Sequence, residues 1–216
     1  MAQEKENKSK SERILDAAEE LFARYGYDGV TMRQIATKAE VDVALASYHF
    51  GKKEALFREV FNRRAEILSA TRRKVLMENQ KQSGDGKQSL EQIIEAFLLP
   101  LKIAQESQEP GWRNYMALLA YVLTSPVWNE VLMPTVFDKR VEEFIDALKA
   151  ALPDAREEDI HWCYHYVSGA LALTLAQTGR IDRLTGGKCQ SADFDTAYNL
   201  MIPFVAAGFR EVCKPK

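Results

Sequence analysis

Cysteine is scarce in this chain, and the little there is forms no pattern. Cys163, Cys189 and Cys213 stand far apart, with no Cys-x-x-Cys pair. An odd count at wide spacing excludes a disulfide framework and a structural zinc site. Seven prolines and eleven glycines are too few for a low-complexity or collagen-like chain. No run approaches the roughly 18 apolar residues needed to span a bilayer. The stretch Met1–Ser11 is polar and of mixed charge, without the apolar core of a signal peptide. A cytoplasmic location away from membranes is the expectation. Neither charge dominates: 29 Lys and Arg face 31 Asp and Glu. Contact with nucleic acid therefore has to be local rather than a property of the whole molecule.

What is present is helical periodicity. The 216 residues, 46% of them hydrophobic, allow one large domain or a small one joined to a medium one. Valine and isoleucine never alternate with polar residues between turn signals, so no sheet is expected. Ile14, Leu15, Ala18, Leu21, Phe22 and Tyr25 make one apolar stripe that Gly26 ends. Thr31-Met32-Arg33-Gln34 reads as a capping box opening a short helix, and Asp42 as the N-cap of another ending near Phe50. A long helix runs from Lys52, with Leu56, Phe57, Val60, Phe61, Ile67, Leu68, Val75 and Leu76 on a recurring face. Ser83-Gly84-Asp85-Gly86 interrupts it. Further helices are expected at Ser89–Glu106, Trp112–Thr124, Trp128–Leu152, Arg156–Thr178 and Phe194–Cys213, with Pro134 and Pro203 kinking or splitting theirs. The fold class is all-α, with roughly nine or ten helices.

Three short helices before a long one is the spacing of a helix-turn-helix module, whose third helix enters the major groove. Thr31-x-x-x-Ile35-Ala36-x-x-Ala39-x-Val41, followed by Tyr48-His49-Phe50-x-x-Lys53-Glu54-x-Leu56, resembles the DNA-binding domain of the TetR family of transcriptional regulators. The match covers about residues 11–58. It implies a DNA-binding domain at 1–55 and a helical effector-binding and dimerisation domain at 56–216. Thr31 can donate to a phosphate alongside the free amides of its helix. Tyr48 and His49 can reach the DNA backbone, and Lys53 is a mobile phosphate cation. Arg33 is suited to a guanine edge. With Gln34, Ala44, Leu45 and Ser47 these residues form the expected DNA-binding set. The third helix is otherwise small or apolar, which leaves thymine methyls and DNA shape as alternatives.

Two positions depart from the family pattern. Glu40 stands where glycine is usual, implying either a turn that does not need positive φ or a modest strain. Ser47 stands where tyrosine is usual. Residues 1–60 carry ten Lys and Arg against eleven acids. Useful affinity is therefore expected only from a pair of modules.

A single helix-turn-helix reads few base pairs, so the remainder should hold a dimer interface. Small residues in the last two long helices permit close approach. Tyr164, Val167, Ser168, Leu171, Leu175, Met201, Phe204, Val205, Gly208 and Phe209 form the expected seam, placed by the family resemblance. That resemblance also implies a ligand cavity among the middle helices. Its candidate lining is Phe97, Trp112, Arg113, Tyr115, Met116, Tyr121, Trp128 and Phe137, although core packing explains the same spacing. Arg113 and Lys102 are candidate counter-charges for an anionic head group. Gly179-Arg180-Ile181-Asp182-Arg183-Leu184, followed by Met201-Ile202-Pro203-Phe204-Val205-Ala206-Ala207-Gly208, resembles a fatty-acid-responsive branch of the family, which implies a hydrophobic, acyl-type effector.

His161 and His165 lie four apart with Cys163 between them, but no glutamate completes a metalloprotease motif. Packing or hydrogen bonding at the dimer seam suits them better. No nucleotide-binding loop or serine elbow appears, so neither cofactor, metal nor enzymatic activity is expected. The resemblance implies a homodimeric repressor of an inverted-repeat operator in double-stranded DNA, released by a small effector. The alternative is an all-helical lipid- or small-molecule-binding protein with a vestigial helix-turn-helix.

Overall fold

The computed structural model describes residues 8–82, 88–107 and 109–215. Among these, eleven α-helices and one π-helical turn follow one another with no strand. They are α1 (Lys10–Tyr25), α2 (Met32–Ala39), α3 (Val43–Phe50), α4 (Lys53–Gln82), α5 (Leu90–Glu106) and α6 (Pro110–Thr124). Then come α7 (Pro126–Leu132), the π turn (Met133–Phe137), α8 (Asp138–Ala151), α9 (Glu157–Ala176), α10 (Arg180–Leu184) and α11 (Phe194–Val212). The break expected at Ser83–Gly86 lies outside the described residues. No single helix among those described is long and apolar enough to cross a membrane.

The chain divides into two compact units, Met1–Ala65 with Gln108–Leu118, and Glu66–Ser107 with Leu119–Lys216. In the first unit, capping sets each short helix. The Ser9 hydroxyl accepts from the Glu12 N–H while the Glu12 carboxylate accepts from the Ser9 N–H. Thr31 and Gln34 repeat that arrangement at α2, as their spacing predicts. The Asp42 carboxylate accepts from the Ala44 N–H at 2.7 Å to start α3. Ile14, Ala18 and Phe22 of α1 close over Ile35, Ala36 and Ala39 of α2, Ala46 of α3 and Leu56, Phe57, Val60 and Phe61 of α4, all buried. Tyr25, expected on the α1 stripe, is exposed because that helix ends there.

The first unit also contains a buried charge cluster. Glu19 accepts from Arg64 at 2.7 and 3.1 Å and from Arg63 at 2.7 Å. Arg63 bonds Asp16 at 2.7 Å, and Arg64 bonds Glu109 at 2.8 Å and lies 4.6 Å from the Trp112 ring centre. Burial opposes the Asp16 charge, but hydrogen bonds from Lys8 and Arg63 outweigh it and hold the carboxyl below its ordinary range. A Cβ at Gly111 would sit 1.8 Å from Arg64 Nη2 and 2.4 Å from Glu19 Oε1. The first turn of α6 can approach the cluster only because residue 111 has no side chain.

In the second unit, α5 packs on α11 and α8, and α9 on α8 and α11. Phe97 stacks on Phe144 at 4.2 Å between ring centres, among buried Leu98, Leu101, Leu132, Leu148, Leu171 and Phe209. The helix expected over Trp128–Leu152 is three pieces. Pro134 has no N–H to give the preceding turn, and the backbone widens there into the π turn. Pro203, by contrast, does not split α11.

Candidate nucleic-acid interface

Two short helices and the turn between them carry the site. At the end of α2, Glu40 takes the left-handed conformation, φ 55° and ψ 47°, and its N–H donates to Thr37 O at 3.1 Å. The Val41 N–H returns to Ala36 O at 3.0 Å, the closure typical of a helix end with a left-handed residue. Glutamate there costs about 1–2 kcal/mol relative to a conformation that suits its Cβ. Of the two readings open for this position, the strained one holds. Arg13 offsets the strain: its Nη2 donates to Ala39 O at 2.6 Å, Glu40 O at 3.1 Å and the Glu40 carboxylate at 3.3 Å.

Helix α3 buries one residue, Ala46, and turns Ala44, Ser47, Tyr48 and His49 to solvent. Tyr48 is 84% exposed, its ring edge-on to His49 at 5.6 Å. Leu45 and Phe50 are half-buried and anchor the helix. An aromatic ring held this far into solvent is unfavourable unless something covers it, and its hydroxyl is well placed to donate to a phosphate oxygen. Arg33 is exposed in the first turn of α2. Thr31 and Gln34 are exposed too, but the Thr31 hydroxyl donates to Gln34 Oε1 at 2.9 Å. Those two atoms belong to the cap. What remains for a phosphate is the Gln34 amide nitrogen and the first N–H groups of α2. Lys53 behaves differently from the expectation of a mobile cation. Its ammonium is turned inward onto the carbonyls of Tyr27 and Val30, at 3.0 and 2.9 Å.

Residues 14–60 match the family of bacterial regulatory proteins, tetR family, and residues 95–208 match the tetracyclin repressor-like C-terminal domain. The second match alone covers just over half of the chain. The chain belongs to the TetR family of transcriptional regulators.

Within the TetR family, this chain is 44% identical over 48 residues to an uncharacterized HTH-type transcriptional regulator in the dhlA 5' region of Xanthobacter autotrophicus. That stretch is 22% of this chain and spans only 24% of the relative. A crystal structure described as a tetR family transcription regulator, from Shewanella sp. PV-4, superposes with TM-score 0.65 at 16% identity, covering 91% of this chain and 98% of that one. The fatty acid degradation regulator FadR from Bacillus halodurans superposes with TM-score 0.61 at 15% identity, covering 94% and 98%. At such identities the two structures establish the fold. TetR-family proteins are DNA-binding regulators rather than enzymes. Burial pushes the Cys163 thiol up to about 12. Among the described residues no group of three or more His, Cys, Asp or Glu could hold a metal ion.

The expected effector lining divides evenly between the two units. Trp112, Tyr115 and Met116 are buried in the core of the first, with the Trp112 and Tyr115 rings 5.9 Å apart, while Arg113 faces solvent. In the second, Phe97 and Trp128 are buried, Phe137 is half-buried and Tyr121 is exposed. Arg72 lies 4.2 Å over the Phe97 ring and donates to Phe97 O at 3.0 Å. Lys102 bonds Asp195 at 2.7 Å, so its charge already has a partner. A concavity of about 630 Å³ lies elsewhere, on α9, lined by Glu157, Glu158, His161, Trp162 and His165.

The residues expected at a dimer seam differ in burial within the subunit. Val167, Leu171, Leu175, Val205 and Phe209 are buried within the subunit, and Tyr164, Ser168 and Met201 are half-buried. Only Phe204 and Gly208 of that set are exposed. The outward face belongs to Trp162, Tyr166 and Leu173 of α9 and Leu200 and Phe204 of α11. Four of these five, all but Phe204, were not singled out in the sequence. The available signal was that both helices carry apolar residues on two opposite sides, of which one lies in the core and the other is exposed.

Proposed function

We propose that this TetR-family protein is a homodimeric repressor that binds an inverted-repeat operator and is released by a small hydrophobic, acyl-type effector. The observation that carries the DNA reading is the pairing of solvent-exposed Tyr48 and His49 with the exposed first turn of α2 bearing Arg33. Arg33 reads a base edge, while Tyr48, His49 and the α2 amides fix the register on the phosphates. Ala44, Leu45 and Ser47 lie against the groove and take thymine methyls or local shape. The second copy is supported by the apolar face of α9 and α11, and it sets two reading heads about 34–36 Å apart, or a multiple of that. The acyl-type effector is supported by the resemblance of residues 179–208 and by the fold shared with a regulator of fatty acid degradation. Working beside DNA implies the cytoplasm.

Selection of bound fragments from a random duplex pool at about 0.15 M salt tests this. An enriched inverted repeat, lost on adding long-chain acyl-CoA, is the expected result. A folded dimer that enriches nothing would return the chain to the class of helical binding proteins.

A further inference from the structure

Two of the three histidines of the chain, His161 and His165, stand four residues apart on α9. On a helix that spacing brings both side chains to one face, a turn apart, with Cβ atoms about 5–6 Å from each other. Both are exposed, whereas Cys163 between them is buried and points elsewhere. Glu157, one turn earlier, places its Oε1 3.8 Å from His161 Nε2. The His165 ring stands edge-on to Trp162 at 5.7 Å and beside Tyr166 at 6.1 Å between centres. These side chains also line the concavity on α9.

A neutral imidazole keeps one nitrogen lone pair, so two imidazoles one turn apart make a chelate. The same spacing supplies two zinc ligands in helical metalloprotease sites. Trp162 stands where those sites carry their glutamate base, which suits this pair to holding an ion rather than to hydrolysis. Charge favours a cation as well. Glu157, Glu158 and Asp159 face Lys149 and Arg156, three negative charges to two positive. The hydrogen bond from Lys149 holds the Glu157 carboxyl below its ordinary range. A carboxylate beside one ring nitrogen orients the imidazole and makes its other nitrogen a better ligand. Nitrogen donors select ions of the zinc, copper and nickel class, whereas magnesium and calcium take oxygen. Two protein ligands leave coordination positions open, so the ion exchanges and the fold does not depend on it.

We propose that His161 and His165 form an exchangeable binding site for a divalent transition-metal ion of the zinc class on the outer face of α9. The site does not depend on the regulator reading, although it lies on the face proposed above for the second copy. It replaces the expectation that these histidines serve packing or hydrogen bonding alone.

Zinc chloride titrated into the full-length protein by calorimetry tests this, with His161→Ala and His165→Ala beside the wild type. Both positions are exposed, so both variants should keep the helical circular dichroism of the parent. The expected result is saturable binding of one zinc per chain, or one per two chains where two copies share it. Either substitution should weaken it at least about tenfold, because one ligand of the chelate is gone. Proton resonances of the His161 and His165 rings should shift together on adding zinc, while those of His49 stay in place. Magnesium chloride should not compete. A wild type that binds no zinc overturns the proposal. So does binding undiminished in either variant, because the ion then sits on exposed Cys189 or on carboxylates. Displacement of zinc by magnesium overturns it too, since that marks a site of oxygen ligands.

Discussion

Glu40 concentrates the tension between family pattern and local chemistry in one residue. The position demands a left-handed backbone, which glycine adopts freely and glutamate does not. What glutamate gains is one exposed ion pair with Arg13, worth at most about 1 kcal/mol. Arg13 also holds two backbone carbonyls of the turn, and those bonds survive a change of side chain at residue 40. Comparing Glu40→Gly with Glu40→Ala isolates the backbone contribution, because both lose the ion pair. In urea unfolding the glycine variant should exceed the alanine variant by about 1 kcal/mol. Equal stability of the two would mean that the turn in solution does not hold residue 40 at positive φ. The departure from glycine was legible in sequence. Its resolution was not, because the compensating residue lies 27 positions away in α1.

At the scale of elements, the short helices were legible because their start signals are local. Thr31 and Asp42 each bond a backbone N–H two or three residues on. The π turn and α10 were missed for the opposite reason. Whether Pro134 kinks, splits or widens a helix depends on what packs around it, and α10 is five residues between a left-handed Gly179 and a loop. The attachment of α6 to the first unit was equally hidden, since Glu19, Arg64 and Gly111 meet only in space. It makes two predictions. Gly111→Ala should lose about 1–3 kcal/mol by overpacking against a pair that cannot retreat. Glu19→Gln should lose about 3–5 kcal/mol by leaving Arg64 buried with half its partners. Denaturant unfolding checks both, and a neutral Gly111→Ala would show that the cluster yields. Asp16 adds a pH dependence. Its folded pKa is depressed, so its contribution is present above the unfolded value of about 3.9 and is lost as pH falls through the folded one. In Asp16→Asn that part of the acid destabilisation should vanish, leaving a flatter stability curve below about pH 4.

For the whole molecule, the informative feature is the distribution of large apolar side chains on α9 and α11. Each helix has an inner stripe, with Val167, Leu171 and Leu175 on one and Val205 and Phe209 on the other, and an outer one left bare. Periodicity alone could not assign the stripes of α9, because a helix apolar on both sides gives no single preferred direction. The residues that look most like a seam are the ones the subunit needs for itself. Phe204 at 74% exposed and Leu200 at 65% lie one turn apart on α11, with Trp162 and Tyr166 likewise on α9. A patch of this kind is costly in water, and it is the face proposed above for the second copy. Substituting Phe204 by Glu spares the subunit core, since that side chain is exposed, but places a charge in the patch. The variant should keep its helical content and its thermal unfolding as a subunit. Its mass by light scattering should fall from twice the chain to once the chain, and its affinity for an inverted repeat should fall with it, because one head alone holds too few phosphates. Phe209→Glu, by contrast, strikes the inner stripe and should unfold the subunit. If the Phe204 variant stays dimeric, the two copies meet through another face. If both variants merely unfold, the division of these helices into inner and outer stripes is wrong.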